Sequence, residues 1–180
     1  MRWRGTRTQL YAELRKIPRV LAGVEHDPLG LHPLFWSHVG NAVLRLIRSA
    51  YKEKMSGLTG SDGIKWAKLA AATIAKRERK GISGDDILKE TGALLASLEP
   101  GHDEVPSGVQ WQVFRFERAG VTVGTAEPKA DWHQEGTEYM PRRPIVRPDA
   151  PLPVKWEPAV ERAMERALRK VIERIVAQGP

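Results

Sequence analysis

The sequence predicts an α+β domain, a small antiparallel sheet packed against several helices, with a long helix at the C-terminal end. Three observations predict it. Residues 109–125 alternate apolar and polar side chains on both sides of Ala119-Gly120, the period-two pattern of a half-buried hairpin. Phe35, Val39, Ala42, Val43, Leu46, Ile47 and Ala50 recur at helical spacing between about Pro33 and Met55. Val160, Met164, Leu168, Val171 and Ile175 do the same near the C-terminal end, with Ala163 and Ala167 beside them.

The chain begins with Leu10, Leu14, Ile17 and Leu21 at three- and four-residue intervals, a helical pattern interrupted at Pro18. Residues 1–30 are therefore expected to form a basic helical arm ahead of a single domain over residues 31–180. The helix from Pro33 to Met55 is the candidate core helix. Its cations Arg45, Arg48, Lys52 and Lys54 are expected off the apolar stripe or in the last turn, where positive charge suits the helix dipole. Ser56 to Asp62 is a glycine-rich turn, and it lacks the Gly-Lys-Ser/Thr ending of a phosphate loop. A short helix is expected after Trp66, ending in Lys76, Arg77, Arg79 and Lys80. Another spans Ile87 to Leu98 with Thr91-Gly92 inside it. The hairpin at 109–125, in which Val109, Trp111, Val113 and Phe116 alternate roughly with Gln110, Gln112 and Arg115, needs further short strands or helices to cover it, because two strands alone are marginal in water.

Val123 to Pro148 follows the hairpin. Pro128, Pro141, Pro144 and Pro148 leave no room for a helix of ordinary length, since each lacks an amide donor and biases its predecessor toward extended geometry. A structured loop carrying Trp132, His133, Tyr139, Arg142, Arg143 and Arg147 is expected. Trp and Arg are the side chains that most often anchor interfaces, so these six residues are candidates for a subunit boundary. Packing against their own core is the competing reading. The final helix, with Glu157 and Glu161 at its start and Arg169, Lys170 and Arg174 near its end, would make a rod of about 28 Å.

Charge is unevenly distributed. Residues 1–60 carry ten Lys/Arg against four Asp/Glu, whereas 61–150 are nearly balanced at thirteen against fourteen. Such a surplus suits an anionic partner, of which nucleic acid is the commonest. Arg15, Lys16, Arg19, Lys76, Arg77, Arg79 and Lys80 are the candidates to face it. No apolar run reaches the roughly 20 residues needed to span a bilayer, and Met1 to Leu10 does not read as a signal peptide. No membrane association is expected.

The usual catalytic constellations are missing from the sequence. The chain has no cysteine, which excludes disulfides, zinc-thiolate sites and a thiol nucleophile. No Gly-x-Ser-x-Gly elbow occurs, and the histidines His26, His32, His38, His102 and His133 include no i, i+4 pair. Glu135 and Glu138 could form an acid and base pair, although solvated loop carboxylates are the commoner reading of such spacing. No catalytic residue, metal ligand or cofactor is assigned.

A series of motifs runs through the middle of the chain: Gly60-Ser61-Asp62-Gly63-Ile64-Lys65-Trp66, then Leu69 and Thr73-Ile74-Ala75-Lys76, then Ile87 to Leu94 with Ser97-Leu98. It continues through Val123-Gly124-Thr125, Trp132-His133-Gln134, Gly136-Thr137 and Met140-Pro141-Arg142-Arg143-Pro144. In order and spacing this series resembles the phage virion morphogenesis family, the tail-completion proteins of tailed bacteriophages. It covers about residues 55–175. Glu90 stands where the family commonly has Asp, and Ala130-Asp131-Trp132 departs from its usual Tyr-Ala and small apolar residue. The resemblance implies a non-enzymatic structural virion protein. It would form a ring, by analogy a hexamer, at the tail top or head-to-tail junction. Its partners would be itself, neighbouring connector and tail proteins, and double-stranded DNA passing through the lumen. Its place would be the neck or tail of the virion, reached from the host cytoplasm during assembly. The alternative function is a basic protein that binds nucleic acid independently of sequence.

Overall fold

The computed structural model of the chain describes residues 31–81, 92–102, 105–117, 120–147 and 151–177. The arm expected over residues 1–30, with Arg15, Lys16 and Arg19, lies outside these residues, as do residues 87–91 of the helix expected from Ile87.

Helix α1, Leu31–Gly57, is the axis of the molecule. Every residue from Leu34 to Ala42 is buried, so this half of the helix is enclosed all round rather than lying on a surface. Two apolar clusters divide its length. Leu34, Phe35, Trp36 and Val39 pack against Val160, Ala167 and Val171 of the C-terminal helix. Leu44, Ile47, Tyr51 and Met55 hold Ile64, Trp66, Leu98, Ile145 and Trp156. The first half of α1 thus builds the helix pair, and the second half collects the loops.

Two short helices follow, α2 at Ala71–Glu78 and α3 at Ala93–Ser97. The helix expected through Leu98 is therefore cut at Gly92, which precedes α3 in the left-handed conformation (φ 69°) that glycine adopts without strain. The hairpin is antiparallel, β1 at Gln112–Glu117 and β2 at Gly120–Thr125, with Phe114 opposite Val123 and Phe116 opposite Val121. The sequence pattern put Val109, Trp111 and Val113 on the inner face, and this is corrected. Trp111 sits in a turn at φ 66°, so the strand begins one residue later. Phe114 and Val123 then face the core. Because the side-chain period of a strand is two, a one-residue offset exchanges the faces. Gly40 of α1 makes the contact possible, since a Cβ there would lie 2.6 Å from the Phe114 ring and 3.0 Å from Val123 Cγ1.

The expected loop after the hairpin contains a helix, α4, Pro128–Glu135. Pro128 occupies the start of the helix, where an amide donor has no partner to lose. Glu127 caps it by accepting from the Lys129 N–H at 2.8 Å. The helix ends at Gly136, which takes a positive φ of 79°. The further short strands reduce to single bridges, Thr59 with Lys65 and Thr137 with Met140. A 3-10 turn at Val154–Trp156 leads into α5, Glu157–Ala177. The buried stripe of α5 is Val160, Ala163, Ala167 and Val171, whereas Ile175 is exposed. Val160 and Val171 of the expected stripe are thus buried, Met164 and Leu168 pack partly buried against the same cluster, and the two alanines beside the stripe complete the contact with α1. Among the described residues no helix is long and apolar enough to cross a membrane.

Candidate functional site

The segment that carries most of the predicted interface residues is fastened to α1 through one buried cation. Lys54 is fully buried, and its Nζ donates to Asp62 Oδ2 (2.6 Å), the Ile145 carbonyl (2.7 Å) and the Pro144 carbonyl (3.2 Å). It also lies 5.4 Å from the centre of the Trp66 ring. An ammonium has three protons to donate, and all three are used. Burial pushes the Lys54 pKa down from the ordinary lysine value, and the hydrogen bond and charge of Asp62 oppose that shift.

Asp62 reaches Lys54 because the chain doubles back immediately after α1. Trp66 N–H donates to the Leu58 carbonyl at 2.7 Å, and Gly60 N–H to Ile64 at 3.1 Å. A side chain at position 60 would come within 2.8 Å of the Ala50 carbonyl, so this tight return requires glycine. Trp66 Nε1 donates to the Pro144 carbonyl at 2.9 Å, and its ring meets Tyr51 edge-on with centroids 5.4 Å apart. Burial, and secondarily Glu127, push the Tyr51 hydroxyl pKa up.

The residues beyond Pro141 are pinned from the other side as well. Gln134 accepts from Ile145 N–H (3.0 Å) and donates to the Val146 carbonyl (2.6 Å), as an added strand would. Arg143 is buried. Its backbone N–H donates to the His133 carbonyl at 2.8 Å, and its guanidinium donates to the carbonyls of Ala67 and Lys68, both at 3.2 Å.

The six interface candidates therefore divide. Arg143 is turned inward and holds the loop to its own chain, and His133 is half-buried beside it. Trp132 and Tyr139 are 55% and 89% exposed, and Arg142 and Arg147 are also on the surface. Arg142 donates to the Gln134 carbonyl and lies 3.6 Å from Glu135, a solvent-facing pair that adds little stability. Glu135 and Glu138 are both exposed.

A cleft of about 420 Å³ opens between α2 and this anchored segment. Leu69 and Leu94 contribute apolar surface, Thr73 and Arg77 come from α2, and Lys129, Trp132 and Tyr139 line it from the α4 side. Residues predicted for two separate purposes thus meet at one site. Trp132, His133, Tyr139 and Arg143 were candidates for a subunit boundary and Arg77 for an anionic partner. Lys76, Arg79 and Lys80 extend the positive surface along α2, a helix with no buried residue. Arg147 lies elsewhere, at the edge of an apolar groove of about 600 Å³ beside Val123 and Leu152.

His133 Nδ1 is buried with no hydrogen-bond partner among the described residues. Burial lowers its pKa from the ordinary histidine value, and the charges of Arg143 and Lys129 lower it further. Burial likewise lowers the pKa of Arg143, with Arg77 adding to the effect. Among the described residues no three His, Asp or Glu side chains are grouped to hold a metal ion.

No protein-family model, curated protein or solved structure matches the chain.

The sequence did not mark Lys54, Asp62 or Asn41 as organising residues. Lys54 lies three residues after Tyr51 and four after Ala50, on the apolar stripe itself, and that register is the signal that identifies it. Asn41 is buried in the middle of α1. Its side chain donates to the carbonyls of His102 and Val105 and accepts from the Gly101 N–H at 2.9 Å.

Proposed function

We propose that this chain is a structural virion protein that forms a ring at the tail top or head-to-tail junction of a tailed phage, with double-stranded DNA passing through its lumen. The observation that carries the reading is how the Trp132–Arg147 segment is built. Lys54, Trp66, Gln134 and Arg143 fix its backbone to its own core, yet Trp132, Tyr139, Arg142 and Arg147 stay on the surface. Ordering large side chains before contact lowers the entropy cost of binding. A segment built this way suits repeated, identical contacts between subunits. The motif order that resembles the tail-completion family supports the same reading. Contacts to DNA would go to phosphates and be independent of sequence.

The experiment is to make phage particles without the protein. Filled heads and complete tails that fail to join, with the protein located at the neck when it is restored, are the expected outcome. Infectious particles of normal form without it would overturn the reading. The second reading, sequence-independent nucleic-acid binding, is favoured by α2, which buries nothing and presents Lys76, Arg77, Arg79 and Lys80. It requires duplex affinity that falls steeply with salt. Binding unchanged by replacing those four cations would remove it.

A further inference from the structure

The cleft between α2 and α4 contains a buried cation without a counter-ion. Arg143 is 2% exposed, and two of its five N–H donors go to the carbonyls of Ala67 and Lys68. Carbonyls hold the guanidinium in place but do not cancel its charge. Among the described residues no carboxylate pairs with Arg143, or with Lys129, the exposed cation at the start of α4. Glu127, the carboxylate in the lining, is buried and occupied in capping α4. Arg77, engaged in contacts of its own, adds positive field from α2. An ionised group withdrawn from water without a partner is costly, and low-dielectric walls focus its field into the space beside it. The cleft therefore favours an anion.

Its other feature is aromatic. Trp132 and Tyr139 line the same space and are 55% and 89% exposed. The backbone that carries them is held by the Arg143 N–H on the His133 carbonyl and by the bridge between Thr137 and Met140. A volume of about 420 Å³ is that of a small-molecule site, suited to one nucleotide unit rather than a duplex. Cations beside open aromatic faces are the combination that holds unpaired nucleotides, with phosphate at the charges and the base stacked on a ring. A carboxylate from an acidic protein segment would satisfy the cations and leave both ring faces without a planar partner.

We propose that the cleft binds a nucleotide unit, its phosphate at Lys129 over the buried Arg143 and its base stacked on Trp132 or Tyr139. A free nucleotide and an unpaired nucleotide of a strand present the same chemistry. Stacking tolerates any base, so no base preference is expected. The site is separate from Lys76, Arg79 and Lys80, the cations of the duplex reading. It shares Trp132 and Tyr139 with the proposed subunit boundary without resting on it.

The test is calorimetric titration of the full chain, at a concentration where sedimentation shows one species. The probes are thymidine monophosphate, a single-stranded oligothymidylate, its duplex with oligoadenylate, inorganic phosphate and an oligoglutamate peptide. The mononucleotide or the strand should bind more tightly than phosphate, peptide or duplex. Lys129→Glu and Trp132→Leu, both at exposed positions, should each weaken that binding at least about tenfold with an unchanged urea midpoint. The bound phosphate should also raise the pH at which His133 titrates by NMR, because it opposes the charges of Arg143 and Lys129 that add to burial in holding that pKa down. Equal affinity for mononucleotide and strand makes the free nucleotide sufficient, and affinity for the strand alone makes nucleic acid the source; both support the proposal. Phosphate binding as tightly as the nucleotide, the peptide binding more tightly, or no binding of any probe overturns it. So does binding that survives Lys129→Glu and Trp132→Leu but is lost when Lys76, Arg79 and Lys80 are replaced. None of these outcomes depends on whether copies form a ring.

Discussion

At the scale of single residues, Lys54 decides whether the segment after the hairpin stays in place. Lys54→Met keeps the length and apolar stem but leaves Asp62 and the Ile145 carbonyl without their donor. Removing one partner of a buried ion pair typically costs about 3–5 kcal/mol, because the other charge remains desolvated. A urea titration should show a loss of that order, and an unchanged midpoint would remove Lys54 from its central role. His133 gives a prediction with a sign. Its folded pKa is depressed, so the unfolded chain protonates first as the pH falls below the ordinary histidine value of about 6.5. The unfolded state then binds more protons, and stability declines until the folded pKa is passed. The unmodified protein should therefore lose more stability between pH 7.5 and pH 5 than His133→Gln does, in denaturant titrations across that range. Equal slopes would contradict it. Residue type marked His133 for attention in the sequence, but the burial that shifts it depends on Arg143 turning inward, which type alone does not reveal. Lys54 was less legible, since a last-turn lysine normally satisfies the helix dipole in solvent, and only tertiary packing distinguishes the buried case.

At the scale of elements, the α1–hairpin contact depends on Gly40. Alanine is the better helix former by about 1 kcal/mol, so propensity alone predicts that Gly40→Ala stabilises. The Phe114 ring at 2.6 Å predicts the opposite, because overpacking a filled contact costs about 1–3 kcal/mol. The net expectation is destabilisation, read as a lower thermal midpoint, with recovery when Phe114→Leu is added. A higher midpoint for Gly40→Ala would mean that the hairpin shifts freely on α1. The two long helices and the hairpin were legible because their apolar periods run over many residues. The face of β1 was not, since positive φ at Trp111 displaces the strand start and no composition signal announces it. Helix α4 was missed because four prolines were read as barriers, although Pro128 sits at the one helical position that accommodates it. In α5 the expected stripe holds from Val160 to Val171 and fails at Ile175, while the alanines beside it are the most deeply buried residues of the helix. Close approach of two helices selects small side chains, which a hydrophobicity pattern undervalues.

At the scale of the whole molecule, the charges fall into two classes that salt separates. The Lys54–Asp62 pair is almost completely buried, where mobile ions screen little, whereas Lys129, Lys76, Arg79 and Lys80 stand in solvent. Raising ionic strength from 0.15 M to 1 M shortens the screening length from about 8 Å to about 3 Å. A contact between subunits made through the exposed cations of the cleft should weaken across that range. The fold, held by apolar packing along α1 and by a shielded ion pair, should not. Sedimentation of the full chain is expected to shift toward smaller species as salt rises, while the thermal midpoint of the subunit stays level or increases slightly. If assembly instead strengthens with salt, the contact is dominated by apolar surface. The exposed residues Ile172, Ile175 and Val176 at the end of α5 would then replace the cleft as the place to look for the subunit boundary.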